Sequence, residues 1–98
     1  MRDSVLLESA AAGDAHALAE LVARHHATLY ALAFGILSDS TEAEQVVGSA
    51  FSEVQWQARR FSPSHYPVSR WLSDITRTAA VERLRARGSA ITHATGRQ

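Results

Sequence analysis

Apolar side chains recur at spacings of three, four and seven residues along most of this chain, and no segment shows a convincing strand pattern. This periodicity places apolar groups on one side of an α-helix. The 98 residues are enough for one hydrophobic core and too few for two. The sequence therefore predicts an all-α fold, a compact bundle of about four helices.

Capping residues divide the first part of this pattern into helices. The first helix is predicted over about residues 3–12, where Gly13 is a natural C-terminal stop. Asp14 is placed to cap a long second helix. Asp39 is placed to cap the third, with Glu42 three residues later in an aspartate form of the capping box.

Two prolines and a glycine set the limits of the fourth helix. Pro63 and Pro67 stop the third helix and start the fourth, and Gly88 is predicted to end it. The residues after Gly88 show no periodicity. We therefore expect a helical domain over residues 1–87 and a flexible tail, or the start of an interdomain linker, over residues 88–98.

Apolar stripes on three helices are predicted to face the core. They comprise Leu18, Leu21, Val22, Leu29, Leu32 and Ile36 in the second helix, Ala43, Val46, Val47, Ala50, Phe51 and Val54 in the third, and Val68, Trp71, Leu72, Ile75 and Ala79 in the fourth. Trp71 lies on its stripe and is predicted to be buried. Trp56 interrupts the pattern between two glutamines, which favours an exposed position at the basic end of the chain.

The formal net charge of zero conceals a dipolar chain. Residues 1–58 contain eight acidic residues and two arginines, a charge of −6, whereas residues 59–98 contain eight arginines and two acidic residues, a charge of +6. An aromatic, turn-rich loop at residues 61–67 leads into the basic part. Cations beside aromatic rings suit nucleic acid, although a solvated helix end also favours arginines.

Other residue types argue against several classes of function. The absence of cysteine excludes disulfides, thiolate zinc sites and cysteine nucleophiles, and it fits a cytoplasmic protein. His25 and His26 diverge by about 100° on a helix, and the other histidines lack partners at ligand spacing, so no metal or cofactor is expected. No catalytic arrangement stands out, so an enzyme is not expected. No apolar run approaches the roughly 20 residues of a membrane span.

Three segments in a fixed order carry a family resemblance. They are LLESAAAGDAHALAELVARHHATLYALAFGIL, SDSTEAEQVVGSAFSEVQWQARRF and FSPSHYPVSRWLSDITRTAAVERLRAR. Together, over about residues 4–87, they resemble region two of bacterial sigma factors of the extracytoplasmic-function group. The second segment is similar to the family helix that docks on the clamp helices of the β′ subunit of core RNA polymerase. The third is similar to the loop and helix that recognise the minus-ten promoter element on the non-template strand.

The resemblance implies two sets of site residues. Polymerase binding falls on Glu44, Gln45, Gly48, Ser49 and Ser52 in the third helix. DNA binding falls on Ser62, Ser64, His65 and Tyr66 in the loop and on Arg70, Arg77, Thr78, Arg83 and Arg87 in the fourth helix. The spacings agree with this, because arginines seven or four residues apart share a helix face and can contact successive phosphates.

The chain departs from the family pattern in both sets. The family helix usually reads Glu-Asp-x-x-Gln-Glu-x-Phe, and here the aspartate, glutamine and glutamate are replaced by Gln45, Gly48 and Ser49. Two carboxylates for pairing with clamp arginines are lost, and Gly48 costs the helix roughly 1 kcal/mol relative to alanine. Thr78 stands where some members place a base-reading asparagine, and a hydroxyl cannot make the bidentate amide contact.

Two rival interpretations remain open. The altered docking motif favours a sigma-like protein-interaction module, which binds an anti-sigma factor or a second copy of itself. A helical scaffold unrelated to transcription would make the resemblance accidental. The family's second DNA-binding domain, which reads the minus-thirty-five element, does not occur in these residues. The resemblance therefore implies either a fragment or a truncated natural protein, and the tail predicted after Gly88 favours a fragment.

Overall fold

The computed structural model describes residues 2–57 and 67–96, with side chains described as far as Gly88 apart from Gln55. Within these ranges the chain forms α1 (Asp3–Ala11), α2 (Ala15–Leu37), α3 (Ser40–Gln57) and α4 (Val68–Gly96), and no strand. α2 packs against each of the other three helices. The predicted all-α bundle of four helices is confirmed.

The caps predicted at Gly13, Asp14 and Asp39 are confirmed, whereas the Glu42 carboxylate, predicted to reach back to the start of its helix, pairs with Arg87. Gly13 follows α1 with a φ of 101°, a backbone conformation that favours glycine. The Asp14 carboxylate accepts hydrogen bonds from the backbone N–H groups of His16 and Ala17 at 2.9 and 3.2 Å. Asp39 Oδ1 accepts from the backbone N–H of Glu42 at 2.8 Å. Each carboxylate satisfies amide groups that have no partner within their own helix.

α2 and α3 are joined by a tight corner of two residues. Ser38 ends α2 in the left-handed region, with φ 54° and ψ 32°, and its N–H donates to the carbonyl of Phe34 at 2.7 Å. Asp39 then caps α3 directly. Because the connection is so short, the two helices lie side by side as neighbours.

The predicted apolar stripes form the core. All six stripe residues of α3 are buried, as are Val68, Trp71 and Leu72 of α4, while Ile75 and Ala79 are partly buried against the core. In α2, Leu21 and Leu29 are buried and the remaining stripe residues are partly buried. Trp71 is 7% exposed and Trp56 is 83% exposed, so both tryptophan predictions are confirmed.

The predicted end of the fourth helix is wrong. α4 begins directly after Pro67, as expected, but it continues through Gly88 to Gly96. Glycine within a helix lowers its stability by roughly 1 kcal/mol, which does not by itself end the helix. A glycine that ends a helix commonly adopts a positive φ, and Gly88 does not. The division into a domain over residues 1–87 and a tail stays a prediction. Among the helices of the described ranges, none is long and apolar enough to cross a membrane.

Candidate interaction surfaces on α3 and α4

The five residues predicted to bind polymerase are all exposed on α3. At about 100° per residue they occupy an arc of roughly 140°, opposite the buried stripe. We call this surface the α3 outer face; it comprises Glu44, Gln45, Gly48, Ser49 and Ser52. No atom lies within 4 Å of the position that a Gly48 Cβ would occupy, so a larger side chain fits there.

An aromatic row on α2 borders the α3 outer face. His26 Nε2 lies 3.4 Å from Glu44 Oε2. The His26 ring stacks on Tyr30 with centroids 6.2 Å apart, and Tyr30 stacks on Phe34 at 6.0 Å. Phe34 is 43% exposed. This row was not predicted from the sequence, although its spacing of four residues is a signal that the three rings share a helix face.

Two of the predicted DNA-binding arginines contact neighbouring helices instead of projecting outwards. Arg83 donates to the side-chain oxygen of Gln45 on the α3 outer face. Arg87 donates to the backbone carbonyl of Leu37 at 3.3 and 3.4 Å and pairs with the carboxylate of Glu42. Since the later residue of α4 meets the earlier residue of α3, the two helices run antiparallel. Arg87 thereby fastens α4 to the corner between α2 and α3.

Arg70 and Arg77 are exposed on the outward face of α4. Arg77 Nη1 lies 3.3 Å from Asp74 Oδ1, an ion pair in which both side chains are about half exposed. Surface pairs of this kind contribute little to stability, so the Arg77 guanidinium can exchange Asp74 for another anion. The loop residues predicted to bind DNA, Ser62, Ser64, His65 and Tyr66, lie outside the described residues.

Thr78, the remaining predicted DNA contact, lines a groove between α3 and α4. The α3–α4 groove has a volume of about 370 Å³ and is lined by Ser49, Ala50, Glu53, Gln57, Trp71, Asp74, Ile75, Thr78, Ala79 and Glu82. Among these lining residues, all from the described part of the chain, three are acidic and none is basic. Ser49 and Thr78 belong to the two different predicted sets, so the groove brings together residues assigned to polymerase and to DNA.

A third cluster of charged groups joins α1 to α2. Asp3 Oδ1 lies 3.0 Å from Arg24 Nη1, and Asp3 Oδ2 lies 2.8 Å from His25 Nε2. Partial burial acts to raise the pKa of Asp3, but the hydrogen bonds and charges of Arg24 and His25 outweigh it and lower the pKa below its usual value. The hydrogen bond to Asp3 is also the main cause that raises the pKa of Arg24.

The histidines do not gather into a metal site in the part of the chain that the structure describes. His25 and His26 point to different helices, towards Asp3 and Glu44 respectively. No group of three or more histidine, aspartate or glutamate side chains among the described residues is placed to hold an ion. Both histidines therefore act here as contacts between helices.

Comparison with known protein families identifies the domain. Residues 21–90 match the family described as Sigma-70 region 2, which covers more than two thirds of the 98 residues. A search of curated proteins found no match to the chain. The matched range contains most of α2, all of α3, and α4 through Ala90, and it includes both predicted sets of site residues. The chain therefore belongs to the sigma-70 region 2 family, a non-enzymatic family whose role is RNA polymerase binding and promoter melting in transcription initiation.

Proposed function

We propose that this chain is the region-two domain of a sigma factor of the extracytoplasmic-function type. It docks on the clamp helices of the β′ subunit through the α3 outer face and holds the non-template strand of the minus-ten element with residues 61–66 and the start of α4. The observation that carries the proposal is the division of α3 into two sides. Five exposed residues at the family's docking positions lie opposite a fully buried apolar stripe.

The chemistry of the α3 outer face favours weak docking. Glu44 is its one carboxylate, and that group already lies near His26. Gly48 and Ser49 offer little side chain where the family pattern has glutamine and glutamate. A protein-binding surface with few charge-assisted hydrogen bonds binds more weakly and recruits its partner more slowly.

The outward face of α4 is suited to phosphate contact. Arg70 and Arg77 are exposed, while Arg83 and Arg87 are engaged by α3 and the α2–α3 corner. We therefore assign strand binding to the first pair. Pro67 precedes the N-terminus of α4, where the positive end of the helix dipole favours an anion. Thr78 lies in an acidic groove, so only a neutral base edge, and not a phosphate, is a suitable ligand there.

Calorimetric titration with the isolated β′ clamp helices of the cognate polymerase tests the docking proposal. Restoring the family side chains by Gly48→Gln and Ser49→Glu together is expected to tighten binding about tenfold, or about 1.4 kcal/mol. The control is Gly48→Ala with Ser49→Ala, which raises helix propensity without supplying polar groups. Absence of binding by both the original chain and the restored variant contradicts docking and favours the interaction-module alternative.

Fluorescence anisotropy with short labelled single strands at two salt concentrations tests strand binding. Arg70→Ala and Arg77→Ala are each expected to weaken binding to all sequences and to reduce the salt slope by about one. Changing His65 is expected to alter the preference among sequences. Arg85→Ala, on an exposed part of the same helix, is the matched control. If neither Arg70→Ala nor Arg77→Ala changes the affinity, the arginines only solvate the helix surface.

One contact favours a protein-interaction module as the second candidate. Arg83 occupies the side-chain oxygen of Gln45, a residue at a family docking position. An anti-sigma factor or a second copy of the chain is the corresponding partner. Sedimentation of the purified chain over a range of concentrations tests for binding to a second copy. If the chain associates with itself, its apparent mass rises with concentration.

A further inference from the structure

We propose that the α3–α4 groove binds an arginine-bearing helical segment of a protein partner. This surface differs from the α3 outer face, since it lies on the side of α3 that meets α4, and the two share only Ser49. The inference goes beyond docking on polymerase and does not depend on it. Charge, shape and one exposed aromatic side chain support it separately.

The groove carries negative charge on both of its walls. Glu53 lines the groove from α3, where its carboxylate accepts a hydrogen bond from Gln57. Asp74 and Glu82 line it from α4, where Asp74 forms the exposed ion pair with Arg77. Asp74 and Glu82 are the only acidic residues after Arg59 in the sequence, and both face this groove. Carboxylates on opposite walls of a concave surface reinforce one another's field and attract cations.

The floor of the groove is apolar. Ala50 from α3 and Trp71, Ile75 and Ala79 from α4 line it beneath the carboxylates. An apolar floor with an anionic rim is complementary to a side chain that has an aliphatic stem and a cationic head. Arginine fits best, because its planar guanidinium can donate to two carboxylate oxygens at once and remains charged when partly buried.

Trp56 extends the same side of α3 beyond the groove. It follows Glu53 by three residues and Ser49 by seven, a spacing that places the three side chains on neighbouring parts of one helix side. Its 83% exposure is the highest among the large apolar side chains that the structure describes as exposed. Indole rings attract guanidinium groups through their faces and are enriched at the centres of protein interfaces.

The spacing of the acidic residues indicates a helical ligand. Asp74 and Glu82 are eight residues apart on α4, a rise of about 12 Å along the helix axis. Arginines seven or eight residues apart on one face of a partner helix match this distance. The partner's first arginine then replaces Arg77 beside Asp74, and the second lies near Glu82. The apolar face of the partner helix lies on Ile75 and Ala79.

Fluorescence anisotropy with a labelled helical peptide tests this inference. The probe is an alanine-based peptide with arginines at every fourth position and an adjacent leucine stripe. Its matched control replaces each arginine with citrulline, which keeps the shape and removes the charge. We expect saturable binding of the arginine peptide and affinity at least about tenfold lower for the citrulline peptide, since charge-assisted hydrogen bonds are lost.

Variants of the protein locate the binding. Glu53→Gln with Glu82→Gln is expected to weaken binding of the arginine peptide about tenfold, and Trp56→Ala about fivefold. Glu8→Gln with Glu20→Gln removes the same charge from exposed positions on α1 and α2, and it is expected to change the affinity less than about twofold. Circular dichroism verifies that each variant keeps its helices.

Several outcomes would overturn the inference. They are no saturable binding of the arginine peptide, equal binding of the citrulline peptide, or equal losses in the groove variant and the control variant. If a single-stranded oligonucleotide binds and Trp56→Ala abolishes that binding, Trp56 stacks on bases and the assignment to a protein partner is wrong. Titration of the groove variant, Glu53→Gln with Glu82→Gln, with β′ clamp helices distinguishes groove binding from the proposed polymerase docking. This variant leaves the α3 outer face intact, so loss of peptide binding in it does not contradict docking.

Discussion

Asp3 shows how one carboxylate can hold two helices together. It lies in the first turn of α1, and its two oxygens contact Arg24 and His25 of α2. The side chain is partly exposed, so solvent weakens the attraction and each pair contributes modestly. The lowered pKa of Asp3 shows that the folded state favours its ionised form.

This interaction predicts a specific pH dependence. The folded pKa of Asp3 lies below its ordinary value of 3.8. The contribution of Asp3 to stability is therefore present above that pH and is lost as the pH falls through the folded pKa. Asp3→Asn is expected to lower the free energy of unfolding by up to about 1 kcal/mol at pH 6 and to have little effect well below pH 3.8. Urea denaturation at both pH values measures the difference, with Glu8→Gln on the same helix as control. An equal loss at both pH values contradicts the ionic origin.

Thr76 is the buried polar residue among the side chains of α4 that the structure describes. It is fully buried, and its hydroxyl oxygen has no hydrogen-bond partner in the described part of the chain. Thr76→Val keeps the shape and removes the unsatisfied hydroxyl, so the free energy of unfolding is expected to rise by about 1 kcal/mol. Thr76→Ser keeps the hydroxyl and loses a methyl group, so the free energy of unfolding is expected to fall. A loss of stability in the valine variant would show that the hydroxyl has a partner.

At the scale of helices, glycines have opposite effects in different positions. Gly13 adopts φ 101° between α1 and α2, where a side chain is strained. Gly48 lies within α3 with open space around its Cα, where a side chain is tolerated and the freedom of glycine is a disadvantage. Replacing glycine with alanine is therefore expected to lower the stability at Gly13 and to raise it at Gly48.

Gly13→Ala is expected to lower the free energy of unfolding by about 1–2 kcal/mol, and Gly48→Ala to raise it by about 1 kcal/mol. Thermal or urea unfolding of the two variants provides the comparison, and each serves as the control for the other. If both lower the stability, Gly48 is required by a contact that the described residues do not show.

Helix starts that carry a capping side chain are the part of the fold that local residues determine best. The caps at Asp14 and Asp39 follow from groups within three residues, so the sequence alone predicted them. Gly88 misled the prediction because glycine can end a helix or lie inside one, and α4 continues through it. The α3–α4 groove depends on how the two helices are rotated about their axes. The sequence of one helix alone does not determine that rotation. The spacing of Asp74, Thr78 and Glu82 was the one local signal.

At the scale of the whole molecule, the two halves of opposite charge are joined by specific contacts. Arg83 and Arg87 of the basic half contact Gln45 and Glu42 of the acidic half. The core beneath them is apolar and includes Trp71. The charges thus orient α4 on the bundle, while burial of apolar area supplies most of the stability.

The two tryptophans test this description of the core. Trp71→Ala is expected to lower the free energy of unfolding by about 3–5 kcal/mol, because it leaves a cavity between α4 and the rest of the core. Trp56→Ala removes an exposed side chain and is expected to change the free energy of unfolding by less than about 0.5 kcal/mol. Thermal melts of both variants measure the difference. Equal and small losses would show that Trp71 is not part of the core.

The length of α4 determines where a group attached to its C-terminal end is placed. Its 29 residues span about 43 Å at 1.5 Å per residue, in a molecule whose largest dimension is 55 Å and whose cross-section is 24 by 22 Å. A group fused at the far end of this helix is displaced and turned by any tilt of α4 on the bundle. Deleting one residue between Gly88 and Gly96 moves that group by about 1.5 Å and rotates it by about 100°. The helix therefore fixes the direction, and not only the distance, in which an attached group is presented.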